Sequence, residues 1–178
     1  MTKILVIGSG FLGKHVITEF KNIEIESYGT SFSKDNKLKL DITNINSIKK
    51  NIEKIKPNII INCAANTNVD FLETHQDVAF DINANGVQNL IEIVRQNNIR
   101  LVHISTDSIF DGSLGPYSEN DIPNPINVYA KSKLLGEKYI LNNLGNEVII
   151  RTNFYGYDND NNFLFNWILN NLKNKKKF

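Results

Sequence analysis

Lys3-Ile4-Leu5-Val6-Ile7-Gly8-Ser9-Gly10-Phe11-Leu12-Gly13 stands at the head of the chain and decides its fold class. Residues 3–7 are a short run, largely β-branched and apolar after Lys3, the composition of a strand buried on both faces of a parallel sheet. Gly8, Gly10 and Gly13 follow at once, and Leu12, Val16, Ile17 and Phe20 then share one helical face. Strand, glycine turn and helix in this order are the context that a Gly-x-Gly-x-x-Gly fingerprint requires. The glycines permit a tight turn and let a pyrophosphate reach backbone N–H groups at a helix N-terminus. Gly8, Gly10, Phe11, Leu12 and Gly13 are therefore expected to hold a dinucleotide. The bland alternative is a merely structural turn.

The pattern repeats down the chain. Residues 23–28 read as a second strand, where the fingerprint expects an acid to hold the ribose 2′-hydroxyl of NAD. Ser27, Tyr28, Gly29, Thr30, Ser31, Phe32, Ser33 and Lys34 stand there instead. That favours NADP(H) slightly over NAD(H), with Lys34 a candidate for the 2′-phosphate or simply a loop lysine. Residues 37–40 form a very short strand ending at Asp41-Ile42. Thr43 or Asn44 caps a helix with Ile45, Ile48, Ile52 and Ile55 on one face, ended by Pro57. Residues 58–62 are the next buried strand. Cys63, Ala64 and Ala65 follow, small enough for a flat ring or ribose to lie against the backbone. Asn66, Thr67, Asn68, Val69 and Asp70 make a polar loop on the edge where ligands bind in open α/β sheets. A long amphipathic helix is predicted over 78–96, with Val78, Ile82, Val87, Leu90, Ile91 and Val94 inward. Asn83 within it is a solvated or capping residue, or a polar contact to the sheet. Residues 100–105 are the fifth strand, 111–125 a long loop, 147–150 the sixth strand, 151–162 irregular and 163–172 a last helix. Alternation of strands and helices predicts a doubly wound parallel sheet, a Rossmann-like α/β fold.

The fifth strand ends in His103-Ile104-Ser105-Thr106-Asp107, an apolar run that stops in hydroxyls and a carboxylate. A helix is predicted from Val128, with Leu134, Leu135, Tyr139 and Leu141 available for packing. Tyr129 and Lys133 stand four apart at its start, hence on one face. Both can point at the strand end carrying Thr106. A hydroxyl, a phenol and an ammonium converging there form a proton-transfer set, and an adjacent Lys133 ammonium is expected to lower the Tyr129 pKa. A bare Tyr-x-x-x-Lys is more often an exposed helix start; the dinucleotide turn is what favours chemistry.

The chain has 178 residues, enough for one sound domain, with ordinary hydrophobic (41%) and charged (22%) fractions. A net charge of +1 gives no electrostatic case for nucleic acid, and Lys173, Lys175, Lys176 and Lys177 offset an otherwise acidic chain. Cys63 is the single cysteine, which excludes an internal disulfide. Cys63 itself is expected to pack rather than react. His15, His75 and His103 are scattered, and no zinc-like spacing or metal site is expected. With no signal-peptide pattern and no membrane-length apolar run, a cytoplasmic protein without a membrane partner is expected.

Further blocks stand in a fixed order: Leu40-Asp41-Ile42; Asn62-Cys63-Ala64-Ala65-Asn66; Ser105-Thr106-Asp107 with Phe110-Asp111-Gly112; Tyr129 with Lys133-Leu134-Leu135-Gly136-Glu137; and Ile150-Arg151-Thr152. On these blocks the chain resembles an extended short-chain dehydrogenase/reductase, most of all the dTDP-4-dehydrorhamnose reductase family, over nearly its whole length. The resemblance implies a reductase of a 4-keto nucleotide sugar, as in dTDP-rhamnose biosynthesis. In it Thr106 and Tyr129 would hydrogen-bond the keto oxygen, Tyr129 would give the proton, and Lys133 would bind the nicotinamide ribose. Asp41 and Ile42 would flank the adenine. Ala64, Ala65 and Asn66 would line the cofactor cleft, next to Cys63. Asp107, Val69 and Phe154 would lie at the substrate. The chain departs from the family in three places. Ile7 replaces the first glycine of the usual turn. Asn153-Phe154-Tyr155 stands where a sugar-touching Trp is usual. Family members also continue further, so residues 1–150 are expected to be the dinucleotide-binding domain and 151–178 the start of a truncated substrate lobe. Alternatives are a non-catalytic NAD(P)-binding module like the regulatory subunits of methionine adenosyltransferase, or a sugar-nucleotide epimerase or dehydratase. A nucleotide-sugar partner is expected, with a homodimer left open.

Overall fold

The structure is a computed structural model, and it describes residues 2–32, 38–156 and 164–173. Six parallel strands form one sheet: β1 (Ile4–Ile7), β2 (Ser27–Ser31), β3 (Leu38–Lys39), β4 (Ile59–Asn62), β5 (Arg100–Ser105) and β6 (Val148–Arg151), in the spatial order β3-β2-β1-β4-β5-β6. The order reverses between β1 and β4. In sheets of this kind ligands bind at such a reversal, outside the strands' C-terminal ends. The expected fold class is the observed one.

β1 is buried throughout, and its side chains serve two layers. Leu5 and Ile7 join the core beneath α2 (Ile45–Ile55), α5 (Gly86–Asn97) and α6 (Val128–Asn143). Val6 faces the other side, against Gly13 of α1 (Phe11–Asn22). Leu5, Ile60 and Leu101 stand in one register row across β1, β4 and β5, all fully buried. Each such side chain contributes about 1.5–3 kcal/mol through removal from water. The next row, Ile7, Asn62, His103 and Ile149, places two polar side chains in the middle of the sheet.

Several boundaries differ from expectation. The second strand is Ser27–Ser31, not 23–28. The chain leaves α1 through a left-handed Glu24 (φ 58°), and the Ile25 N–H donates to the Phe20 carbonyl at 2.8 Å. That tight exit spends residues 23–26 on the turn and leaves Ile23 exposed. Lys34 lies outside the described residues. The stretch after Asn68 is not only loop: α3 (Val69–Thr74) forms on an Asn68 side chain that accepts from the Phe71 N–H. The long helix starts at α4 (Gln76–Phe80) and passes through a π-helical turn, Asp81–Asn85, into α5. The jump from Ile82 to Val87, five residues where three or four are usual, is the mark of that turn in the sequence. Asn44, rather than Thr43, caps α2, accepting from the N–H groups of Asn46 and Ser47. Helix α6 begins at Val128 as expected, but Leu141 is exposed and Ile140 is buried in its place. The buried face of α6 carries Ser132, Lys133 and Glu137 among Val128, Ala130, Leu134, Gly136 and Ile140. A last helix, α7, spans Leu164–Lys173. Among the described residues, no helix is long and apolar enough to cross a membrane.

Candidate active site

The glycine turn is built for close approach. Gly8 has φ +90°, and a Cβ there would stand 2.6 Å from the Ala64 backbone nitrogen. A Cβ on Gly13 would collide with the Gly8 carbonyl oxygen. A Cβ on Gly10 meets nothing within 4 Å, so Gly10 faces the open crevice. Helix α1 begins at Phe11 with no side chain capping Gly10 and no acid in its first turn. The positive end of its dipole is thus left for an anionic group. Ser9, 4% exposed, has a buried hydroxyl without a hydrogen-bond partner in the middle of this turn. These features fit a dinucleotide pyrophosphate. Ser9 is a residue that sequence reasoning passed over, hidden as a variable position of the motif.

The opposite wall is the segment 63–68. Asn83, fully buried on the π-helical turn, accepts from the Asn66 N–H (2.9 Å) and donates to the Asn66 carbonyl (3.0 Å) and to Ser132 Oγ of α6 (3.0 Å). The expected polar contact of Asn83 is real, but its partners are this wall and α6. Burial pushes the Cys63 thiol up to about 11, with Lys133 acting the other way, so it is no activated nucleophile. At the far side of β1, Asp41 Oδ1 accepts from the Thr43 N–H (2.9 Å) and hydroxyl (2.7 Å). Ile42 is buried beneath Gly86 of α5. Both stand past β3, at the C-terminal edge of the sheet.

Thr106 stands at the end of β5, with Tyr129 and Lys133 on the first turns of α6 beside it. Thr106 caps a short 3-10 turn, Asp107–Ile109, accepting from the Ser108 N–H at 3.1 Å, and its hydroxyl, 3.3 Å from Asp107 Oδ1, faces the Tyr129 phenol. Asn127 caps α6 by accepting from the Ala130 N–H at 2.8 Å, which fixes where Tyr129 emerges. Lys133 is 2% exposed and donates to the Ile104 carbonyl at 2.7 Å. Its Nζ also lies 3.3 Å from His103 Nε2. Burial brings Lys133 down to about 8, against the charges of Glu137 and Cys63. The expected effect on Tyr129 is corrected here. Its pKa is raised, first by burial and also by the Asp107 charge, with the Thr106 hydrogen bond opposing. Lys133 is turned toward the strand and does not act on the phenol in this geometry.

Beneath this group lies a network that the sequence did not announce. Glu137, fully buried, accepts from Ser105 Oγ and from Arg151, whose Nη2 stands 2.8 Å from Oε2. Arg151 Nη1 donates to the Glu119 carbonyl at 2.9 Å, and the guanidinium lies 5.7 Å from the Phe110 ring centroid. Asp111 gathers the loop that follows, accepting from Ser113, Tyr117 and Asn124. Asp107, exposed, and Val69, 38% exposed, stand near the open edge. Phe154 stacks on Phe11 of the glycine turn, centroids 6.2 Å apart. No group of three or more His, Cys, Asp or Glu side chains that could hold a metal occurs among the described residues.

A parallel sheet in this order, with an open glycine turn at its switch point and a Tyr-x-x-x-Lys helix over β5, defines the extended short-chain dehydrogenase/reductase class. Within it, the chain belongs to the RmlD substrate binding domain family, whose model matches residues 1–178. It is 38% identical over 167 residues to a dTDP-4-dehydrorhamnose reductase of Aggregatibacter actinomycetemcomitans, covering 92% of this chain and 55% of the relative. It is 35% identical over 152 residues to methionine adenosyltransferase 2 subunit beta of Danio rerio, covering 84% of this chain and 46% of the relative. The crystal structure of dTDP-4-dehydrorhamnose reductase from Bacillus anthracis in complex with NADP superposes with a TM-score of 0.85 at 35% identity, covering 98% of this chain and 61% of that one. The chain thus spans about half the length of the curated relatives it matches.

Proposed function

We propose that this chain carries the cofactor site and reacting groups of a reductase that moves hydride from NAD(P)H to a 4-keto nucleotide sugar of the dTDP-4-dehydrorhamnose kind. The observation that carries the reading is the placing of Thr106 at the end of β5 against Tyr129 on α6, with Lys133 one turn on, beside a glycine turn whose Gly10 faces open space. Residues 1–150 form the dinucleotide-binding domain in this reading, and 151–178 begin a substrate lobe. The turn 8–13 and the α1 N-terminus hold the pyrophosphate, with Asp41 and Ile42 toward the adenine. Ala64, Ala65 and Asn66, next to Cys63, line the cleft. A bound dihydronicotinamide supplies the hydride. The side chains supply the rest: Thr106 and Tyr129 hold the keto oxygen, and the raised Tyr129 pKa keeps the phenol protonated as a donor. Asp107 and Val69 stand toward the sugar. Phe154, stacked on Phe11, would act there only from across the glycine turn.

The test is NADPH consumption with dTDP-4-dehydrorhamnose as substrate. Turnover by these 178 residues is expected to lie orders of magnitude below that of a longer relative, because remote substrate contacts help to hold the keto group in place. Tyr129→Phe should abolish what remains, and undiminished activity in that variant would remove Tyr129 from its role. A second reading, a non-catalytic NAD(P)-binding subunit, is favoured by the 35% identity to methionine adenosyltransferase 2 subunit beta. It predicts cofactor binding with no turnover of any keto sugar.

A further inference from the structure

Asn62, His103 and Lys133 form a buried polar chain that the reduction step leaves unexplained. Asn62 and His103 are fully buried and face each other across β4 and β5. The Asn62 amide is oriented by both of its arms. Its Oδ1 accepts from the Ala64 N–H at 3.1 Å, and its Nδ2 stands 3.1 Å from His103 Nδ1. Turning the amide over would set an NH2 against the Ala64 N–H. Nδ1 of His103 must therefore accept. A neutral imidazole has one donor and one acceptor, so its proton sits on Nε2. That N–H points at Lys133 Nζ, 3.3 Å away. An ammonium has three donors and no acceptor, so it cannot pair with an N–H. A neutral amine can: it takes the Nε2–H with its lone pair and still donates to the Ile104 carbonyl at 2.7 Å. The contacts around Lys133 close only when the lysine is uncharged.

The other groups facing Lys133 do not undo this. Glu137, one turn further on α6, is occupied by Arg151 and Ser105. The Cys63 thiol stays protonated, its pKa raised to about 11. Tyr129, one turn earlier on α6, faces Thr106, near the Asp107 charge. His103 is held neutral by burial. Burial brings Lys133 down to about 8, and a facing N–H works in the same direction.

We propose that His103 is a positioning residue that, in mildly alkaline solution, parks Lys133 inward as a neutral amine in the cofactor-free protein, and that dinucleotide binding draws the lysine out to the cleft, where it takes one proton from the buffer and becomes the ammonium beside Tyr129. The second half rests on the dinucleotide reading above. Tyr129 and Lys133 share one face of α6, so side-chain rotation alone carries Nζ from the Ile104 carbonyl toward the phenol. The rotation couples the charge that tunes Tyr129 to the presence of the cofactor.

The first test needs no cofactor. In protein labelled with 15N-histidine, long-range nitrogen spectra of His103 are expected to show an unprotonated Nδ1 and a protonated Nε2. A protonated Nδ1, or an imidazolium, overturns the proposal. The second test is calorimetry of NADPH binding in buffers of different ionisation enthalpy. About one proton should be taken up when the pH is roughly a unit above the lysine's own titration, and little when it is roughly two units below. Equal uptake at both overturns the release of the lysine. Asn62→Asp reverses the ring, because a carboxylate accepts an Nδ1–H and turns the Nε2 lone pair to the lysine. The spectra should then show a protonated Nδ1, and the proton uptake should disappear. If NADPH does not bind at all, the dinucleotide reading and the release fall together, while the His103 tautomer still decides whether Lys133 is parked.

Discussion

Replacing Arg151 by Met should destabilise the protein far more than the loss of a partly exposed side chain implies. Glu137 is fully buried, and the guanidinium meets it from Nε at 3.1 Å and Nη2 at 2.8 Å. Without Arg151, the Ser105 hydroxyl is its remaining partner among the described contacts. A buried charge stripped of its partner costs about 3–5 kcal/mol. The Arg151 side chain is 19% exposed, so water reaches the vacated position and the lower end applies, about 3 kcal/mol. At roughly 2–4 °C per kcal/mol for a chain of this size, the melting temperature should fall by about 6–12 °C. Adding Glu137→Met to Arg151→Met removes the orphaned charge and should return most of the loss, because a buried ion pair replaced by apolar groups of similar volume is often neutral. The assay is urea unfolding at neutral pH, followed by circular dichroism, for both single variants and the double. A loss under about 1 kcal/mol in Arg151→Met, or a double variant no better than the worse single, would refute the reasoning.

Three further outcomes are expected. Asp111 is held well below the usual carboxylate range by hydrogen bonds from Ser113, Tyr117 and Asn124. Its contribution is therefore present above the ordinary carboxylate titration and is lost as pH falls below it. Amide protection relative to intrinsic exchange in residues 113–124 should fall as pH drops below that range, and Asp111→Ala should show the low protection already at neutral pH. Gly136→Ala places a Cβ 2.5 Å from the Asn83 carbonyl oxygen. The overpacking, about 1–3 kcal/mol, outweighs the roughly 1 kcal/mol of helix propensity gained, so the urea midpoint should drop. NADPH should bind at least as well as NADH, since Ser31 and Phe32 at the end of β2 offer no carboxylate to a ribose. A tenfold preference for NADH, about 1.4 kcal/mol, would reject this.

Much of the fold was legible because its signals are local. The β1 run, the glycines behind it and the capped start of α6 at Asn127 are short stretches whose residues state their own conformation. The second strand was misplaced because its apolar content lies in residues 23–25, which the left-handed Glu24 turns into a corner. Gly29, Thr30 and Ser31 look unlike a strand, yet they are buried or half-buried beside β1. The site divides the same way. Thr106, Tyr129 and Lys133 carry their meaning in spacing along the chain, so they could be chosen from the sequence. Glu137, Arg151, Asn62 and His103 act through partners 14 to 41 positions away, and no local pattern marks such pairs. The direction of the Tyr129 shift was misread for this reason: spacing puts Lys133 on the right face of α6 but does not show that His103 and Ile104 hold its amine.

The central claim is that the turn 8–13 and the wall 63–66 close around a nicotinamide dinucleotide. The most direct measurement is a titration of the protein with NADPH, read by quenching of intrinsic fluorescence, for wild type and Gly10→Val. Gly10 faces open space, so the valine side chain fits without disturbing the fold and occupies the room that the pyrophosphate needs. The account predicts saturable binding to wild type and none to a correctly folded Gly10→Val. Equal affinity of the two proteins would contradict it.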